Sequence, residues 1–205
     1  MYMTLSLNSV RRRMKSANET RPAPMNACLR DNLGWLEQII RSQRQGNSCL
    51  PYCLGLRAED YRKLVLSSAY HRLQRLTLMP VKDQQAADLR QELLDMREDE
   101  WMSLRELLLE HRAGVDDSEY LIADIVAAAC MGGDHLWRDL GLASRTELSG
   151  LLTRNFPSLA SANNRDMKWK KFFYKQLCEQ GGGYVCRAPS CEQCSTYSDC
   201  FGPEV

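Results

Sequence analysis

Residues 118–131 read SEYLIADIVAAACM and form the most apolar part of the chain. The aliphatic side chains recur at the three- and four-residue spacing of an α-helix. Asp116 or Asp117 is expected to cap this helix, and Gly132-Gly133 to end it. We therefore predict a helix at the centre of a bundle, with one apolar side formed by Leu121, Ile122, Ile125, Val126 and Ala129.

Helical spacing continues on both sides of this stretch, with almost none of the alternation that is typical of strands. Further helices are predicted over residues 27–43, 58–79, 83–112, 144–155 and 165–180. The third of these, 83–112, is long enough to divide in two. The sequence thus predicts an all-α fold, a single helical bundle of about six helices that ends in a cysteine-rich metal-binding loop.

Two of the predicted helices carry explicit predictions about their faces. The helix over 83–112 should bury Leu89, Leu93, Met96, Leu104, Leu107 and Leu108. Its acidic run could offer carboxylates to a metal, but neighbouring arginines favour a solvated, paired face formed by Asp95, Glu98, Asp99 and Glu100. The last helix should bury Trp169, Phe172, Phe173 and Leu177 and expose Lys168, Lys170, Lys171 and Lys175.

Composition limits the class of protein. With 205 residues, 27 basic and 26 acidic side chains, the chain can form one core and has no charge bias toward nucleic acid or membrane. Residues 1–25 are predicted to be a disordered basic tail, and no apolar segment there resembles a secretory signal. The longest apolar run is too short to cross a membrane. We expect a cytoplasmic protein and, in the absence of a phosphate loop or catalytic motif, not an enzyme.

Four cysteines lie close together near the C-terminus, at Cys186, Cys191, Cys194 and Cys200, with the spacing C-x4-C-x2-C-x5-C. Four thiolates on short polar links suit either a tetrahedral zinc site or an iron–sulfur cluster, and the spacing does not choose between them. Disulfides are disfavoured because nothing in the chain looks secreted. The scattered cysteines, Cys28, Cys49, Cys53 and Cys130, are more typical of small buried side chains.

A resemblance to a known family rests on four stretches that occur in the same order. These are His135-Leu-Trp-Arg-Asp-Leu-Gly-Leu142, Arg145-Thr-Glu-Leu148, Asn155-Phe-Pro157, and Met167-Lys-Trp-Lys-Lys-Phe-Phe-Tyr-Lys-Gln-Leu-Cys178 followed by the cysteine spacing. Together they resemble the NifQ family of nitrogen-fixation proteins. The resemblance is specific over about 134–202 and looser over about 50–133.

The resemblance implies a molybdenum carrier for assembly of the nitrogenase iron–molybdenum cofactor. It implies that the four clustered cysteines hold an iron–sulfur cluster that takes up molybdenum. The implied partners are the cofactor-assembly scaffold, the nitrogenase iron protein, and molybdate or a molybdenum storage source. A helical adaptor with a structural zinc site and an iron–sulfur electron carrier are the alternatives.

Two further residues are candidate metal ligands, Cys178 in the last helix and His135 after Gly132-Gly133. The lysines around Trp169 could attract molybdate or an acidic partner, or could form an ordinary solvated face. We divide the chain into the basic tail, a helical domain over 26–180, and a cluster-binding segment over 181–205.

Overall fold

The structure is a computed structural model that describes residues 27–66, 70–180 and 195–204. These residues form helices and contain no strand, which confirms the all-α prediction. The eleven helices in these ranges are α1 (Ala27–Arg44), α2 (Ala58–Leu66), α3 (His71–Thr77), α4 (Gln84–Asp95), α5 (Glu98–Glu110), α6 (Ser118–Cys130), α7 (Leu136–Leu140), α8 (Arg145–Asn155), α9 (Pro157–Ala162), α10 (Trp169–Gln180) and α11 (Tyr197–Phe201). The predicted disordered tail, residues 1–25, lies outside the described residues.

Helix α6 lies at the centre, as its sequence predicts, but it is covered on nearly all sides rather than on one. Only Tyr120 is exposed and Leu121 half-buried among its thirteen residues. Helices α1, α5 and α7 pack around it. Its alanines permit close approach, and the backbone of Gly55 comes so near that a Cβ there would lie 2.2 Å from the Ala128 Cβ.

Complete burial of α6 requires partners for its polar side chains. The Glu119 carboxylate accepts hydrogen bonds from the backbone N–H groups of Gly114, Val115 and Asp116, at 2.8–3.1 Å, and so closes the turn before the helix. The Asp124 carboxylate is ion-paired with Arg105 of α5. Burial raises the pKa of the Asp124 carboxyl, and Arg105 opposes that rise. Both acidic side chains of α6 are therefore paired with hydrogen-bond donors inside the core.

A buried pair of asparagine side chains joins α1 to α8, two elements far apart in the sequence. Asn32 of α1 and Asn155 of α8 exchange side-chain hydrogen bonds of 2.7 and 2.9 Å, although 123 positions separate them. Asn32 also donates to the Ser118 hydroxyl at the start of α6, at 2.8 Å. An unpartnered buried amide would cost about 1–3 kcal/mol, so the pairing fixes how α1, α6 and α8 meet.

The end of α1 is fastened by Arg44, whose guanidinium is buried against neutral oxygen atoms. It donates to the carbonyls of Leu76 and Thr77, at 3.4 and 3.0 Å, and to the Tyr61 hydroxyl at 2.5 Å. A cation at these last carbonyls of α3 also meets the negative end of the helix dipole. Arg44 thereby binds the α2–α3 pair to α1.

Several predicted helix bounds are wrong because single residues leave helical geometry. Within the predicted helix over 58–79 the structure describes α2 and α3, with residues 67–69 outside the described residues, and Tyr70 precedes α3 with φ −107° and ψ 21°. The division of 83–112 is confirmed, at Arg97. Phe156 separates α8 from the unpredicted α9, because a residue before proline avoids helical torsions and Pro157 suits a first helical position. The described residues thus contain eleven helices where about six were predicted.

The predicted inner face of α4 is also wrong. Leu104, Leu107 and Leu108 of α5 are buried as predicted, but Leu89, Leu93 and Met96 are 50–80 % exposed. Helix α4 buries Ala87 and Leu94 instead. Arg97 lies outside helical geometry, with φ −119° and ψ 30°, and the apolar stripe of α5 does not continue along α4.

The last long helix begins at Trp169 rather than at 165. The Asn163 side chain holds both the N–H and the carbonyl of Met167, at 2.9 and 2.8 Å, and Asp166 adopts a φ of 54°. These contacts keep the preceding residues in a loop. As predicted, Trp169, Phe172 and Phe173 are buried, and Leu177 packs against the core while partly exposed. None of the described helices is long and apolar enough to cross a membrane.

Two glycines with the same backbone torsion should differ in their tolerance of a methyl group. Gly46 and Gly55 have φ of 78° and 80°, but a Cβ would meet nothing within 4 Å at Gly46 and would overlap Ala128 at Gly55. We expect Gly46→Ala to lower the free energy of unfolding by about 1 kcal/mol through backbone strain. Gly55→Ala should lower the free energy of unfolding by about 1–3 kcal/mol more than Gly46→Ala, because the added methyl group overpacks against α6.

Urea unfolding of the two variants measures this difference directly. Equal losses would mean that the loop around Gly55 can move away from α6, and would contradict the close packing described above.

Candidate metal centre

The C-terminal residues contact the body at the start of α10. Cys200 lies half-buried in α11, and its carbonyl accepts a hydrogen bond from the Lys168 N–H at 2.7 Å. The Lys168 ammonium also donates to the Ser198 carbonyl at 3.1 Å. Phe201 packs against the core edge under the Arg165 guanidinium, 5.4 Å from its ring centre. The fourth cysteine of the motif is thus attached to the helical body through its backbone.

A buried carboxylate provides a second attachment. The Glu204 side chain is 6 % exposed and is ion-paired with Arg145, at the start of α8. Arg145 also donates to the Met167 carbonyl at 2.9 Å and to the Asp166 carboxylate at 2.8 Å. One guanidinium therefore joins α8, the loop before α10 and the C-terminal residues.

His135, a predicted ligand, lies beside this attachment. Its Nδ1 atom is 3.7 Å from Glu204 Oε2, and Glu204 follows Cys200 by four positions. The residue immediately precedes α7 in extended backbone, as expected for a residue at a helix start. The structure thus places His135 and Cys200 in the same region, and the role of His135 as a ligand stays a prediction.

Cys178 lies toward the other end of α10. It lies nine positions after Trp169, which corresponds to about 14 Å along a helix axis. The backbone of Cys200 is attached at the Trp169 end, so α10 does not bring these two thiols together. Cys178 is half-buried, and its role as a ligand also stays a prediction.

The remaining motif cysteines, Cys186, Cys191 and Cys194, lie outside the described residues, as does most of the predicted cluster-binding segment. Within ranges 27–66, 70–180 and 195–204 there is no group of three or more histidine, cysteine, aspartate or glutamate side chains placed to hold a metal ion. The four-cysteine site therefore stays a prediction from the sequence.

The lysines of α10 are less uniform than predicted. Lys171 is exposed, and Lys175 pairs with Glu179 on the surface. Lys170, predicted to face outward, instead turns inward, forming an ion pair with Asp139 of α7 and a 2.7 Å hydrogen bond to the Gly132 carbonyl. Lys168, through Ser198, and Lys170 are thus the two of the four lysines with a described contact to a residue outside α10, whereas Lys175 pairs within the helix.

Asp139 is the residue at this site that sequence reasoning missed. Its carboxylate accepts from the Asp134 N–H at 3.0 Å, and its carbonyl accepts from the Cys49 N–H at 3.0 Å. A Cβ on Gly132 would lie 2.4–2.6 Å from that carboxyl group, so only glycine allows this approach. The available signal is Gly132-Gly133, which by itself predicts only a helix end.

The predicted acidic face of α4 and α5 is solvated, except at Glu100. Asp95, Glu98 and Asp99 are exposed. Glu100 accepts two 2.7 Å hydrogen bonds from Arg97 and one from the Tyr174 hydroxyl, at 2.5 Å. The Arg97 contact holds the pKa of the Glu100 carboxyl below its usual range. Of the acidic run, Glu100 connects α5 to α10 through Tyr174.

Cys130 is a core thiol, as predicted for the scattered cysteines, and Cys49 is half-buried against the core. Cys130 is buried at the end of α6, and the Cys49 thiol faces the Ala129 carbonyl at 3.7 Å. Burial raises the pKa of both thiols to about 12, with Asp139 adding to the rise at Cys49. Both are therefore neutral at pH 7 and poor ligands in this state.

Comparison with known proteins identifies the family. The described chain is an all-helical protein whose C-terminal cysteine segment is attached to its body. The NifQ family model matches residues 35–202, which include His135 and all four motif cysteines. No solved structure matches the chain.

Two curated relatives align over most of their length. Protein NifQ of Azotobacter vinelandii is 56% identical over 178 residues, covering 86% of this chain and 91% of that protein. Protein NifQ of Klebsiella pneumoniae is 36% identical over 175 residues, covering 82% of this chain and 98% of that protein. The chain belongs to the NifQ family, which confirms the resemblance and assigns it a role in nitrogen fixation.

The attachment of the C-terminal residues can be tested through a single amide. The Lys168 N–H donates to the Cys200 carbonyl, so its hydrogen exchange reports whether the C-terminal residues are bound. We expect Arg145→Met to accelerate exchange at Lys168 at least tenfold in amide-resolved NMR. Arg41→Met, which removes a surface arginine paired with Glu37, serves as the control. Unchanged exchange in Arg145→Met would show that Glu204 and Arg145 do not hold the segment.

The buried thiols predict a loss of stability in alkali. A thiol whose pKa is about 12 in the folded state and about 8.5 when unfolded contributes stability that is present below pH 8.5 and lost as the pH rises through 12. We expect the free energy of unfolding to fall across this window, and to fall less steeply in Cys130→Ala. Identical slopes in urea titrations of the two proteins would contradict the assignment.

Proposed function

We propose that the chain is a molybdenum carrier for biosynthesis of the nitrogenase iron–molybdenum cofactor. In this proposal Cys186, Cys191, Cys194 and Cys200 hold an iron–sulfur cluster that takes up molybdenum. Four thiolates fit this cargo, since soft sulfur ligands suit iron–sulfur clusters. The chain delivers metal rather than turning over a substrate, so it is not an enzyme, and it acts in the cytoplasm.

The observation that carries the proposal is the attachment of Cys200 to the body within a chain of the NifQ family. The family match extends through the fourth cysteine, and the 2.7 Å bond from Lys168 fixes the backbone of that cysteine to α10. A carrier requires a site that is attached yet accessible to partners. Cys200 meets both conditions, because its backbone is bound while its side chain is half-exposed.

His135 and Cys178 are the further ligands in the proposal. Of the two, His135 has the stronger support. Its Nδ1 atom lies 3.7 Å from Oε2 of Glu204, and Glu204 belongs to the attached C-terminal residues. An imidazole near the cluster would offer an exchangeable ligand for molybdenum or iron. The partners proposed are the cofactor-assembly scaffold and the nitrogenase iron protein, with molybdate or a molybdenum storage source as the supply.

The test is elemental analysis for iron, molybdenum and zinc on the full chain, purified without oxygen from cells supplied with molybdate. We expect iron together with molybdenum in the wild type, and neither in a Cys191→Ala, Cys194→Ala double variant. Cys53→Ala is the matched control, because this half-buried cysteine lies outside the motif and should leave both metals in place.

Each alternative has its own outcome. Stoichiometric zinc without iron or molybdenum would replace the carrier by a helical adaptor with a structural zinc site. Iron that cycles reversibly between oxidation states but never retains molybdenum would indicate an electron carrier.

A further inference from the structure

A cleft lies on the body between the end of α1, α4 and α7. Its volume is about 540 Å³, and the stretch after Gly133 that resembles the NifQ family supplies Asp134, Trp137, Arg138 and Asp139 to its wall. The loop after α1 supplies Cys49, and α4 supplies Arg90. The described attachment of the C-terminal residues, through Lys168, Arg145 and Glu204, lies outside the lining of this cleft.

Two N–H groups of the lining residues lack acceptors. Arg90 Nη1 and Trp137 Nε1 are both buried, and neither has a hydrogen-bond partner within the described ranges. A buried donor without an acceptor costs about 1–3 kcal/mol, so such groups indicate a missing partner. Both residues belong to the lining of this cleft, and a ligand that carries several acceptor oxygen atoms would give such donors partners.

The charges of the cleft favour an anion. Asp139 is neutralised by its ion pair with Lys170, and the exposed Asp134 lies 3.7 Å from Arg138. Arg90 has no ion-pair partner in the part of the chain that the structure describes, which leaves one positive charge uncompensated. Burial raises the pKa of the Cys49 thiol to about 12, so it adds no negative charge at pH 7.

We propose that this cleft binds a small tetrahedral oxyanion, with Arg90, Arg138 and Trp137 donating to its oxygen atoms. Guanidinium groups match such anions because they present several N–H donors in one plane. The indole N–H supplies a neutral donor beside them. The volume admits the anion together with ordered water molecules.

Two claims are distinct here: that the cleft binds an oxyanion, and that this oxyanion is molybdate. That the oxyanion is molybdate rests on the proposed function, since a molybdenum carrier needs an entry point for its cargo. Binding of an oxyanion follows from the cleft alone. Sulfate and phosphate share the tetrahedral chemistry and are the competing ligands.

The experiment is equilibrium dialysis of the metal-free full chain with molybdate, followed by competition with sulfate and phosphate. We expect one saturable molybdate per chain and at least tenfold weaker binding in Arg90→Met. Trp137→Phe, which removes the indole N–H donor but keeps an aromatic ring, should weaken binding about threefold to tenfold. Arg41→Met, on the exposed surface of α1, should bind like the wild type.

A second measurement works even where a variant is less stable. The chain has four tryptophans, so the indole N–H signals are few and Trp137→Phe assigns the one of interest. Added molybdate should shift the Trp137 signal in the wild type and leave the other three in place. No shift at Trp137, or full affinity in Arg90→Met, would overturn the site.

The cysteine double variant distinguishes this proposal from the preceding one. Cys191→Ala with Cys194→Ala should bind molybdate as tightly as the wild type even though it holds no cluster. Loss of binding in that variant would locate the anion at the C-terminal cysteines and overturn the cleft. Equal competition by sulfate or phosphate would overturn molybdate as the particular ligand and support the oxyanion class.

Discussion

The fold depends on the burial of α6 on nearly all sides. A helix that is apolar around its circumference cannot stay at a surface, so neighbouring elements must cover each of its faces. Helices α1, α5 and α7 provide that cover, and the loop at Gly55 closes over Ala128. The cost of the arrangement is two buried acids, which Arg105 and the backbone of residues 114–116 accommodate. Removing any of these partners would leave a buried charge in the core, and such losses are costly.

A second group of contacts connects the core to the region where function is proposed. Lys170 of α10 binds both Asp139 of α7 and the carbonyl of Gly132 after α6. His135, immediately before α7, lies beside the C-terminal residues, and Trp137 and Arg138 of α7 line the cleft. The ends of α6, α7 and α10 are thus held as one unit, and both candidate sites are built on it.

The sequence predicted the elements whose periodicity extends over several turns. Helix α1, the central α6 and the buried aromatic face of α10 follow directly from side-chain spacing, and Ser144 caps α8 by accepting from the Glu147 N–H as predicted. Short elements escaped prediction, because five or six residues carry too little periodicity to be recognised. Leu89 and Leu93 illustrate a second kind of wrong prediction. Their helical spacing is real, but no neighbouring element in the described part of the chain covers them, so they are exposed.

By itself, the sequence determined the all-α class, the central place of α6, and membership of the NifQ family, because periodicity and motif spacing are local properties of a chain. Only the tertiary structure decided that Lys170 turns inward to Asp139, that Glu204 lies against His135 and Arg145, and that Arg90 and Trp137 meet at one cleft. These pairs are 31 to 69 positions apart. Their meeting depends on how whole helices cross, and helix crossing is set by packing around α6 rather than by the spacing of residues along one helix.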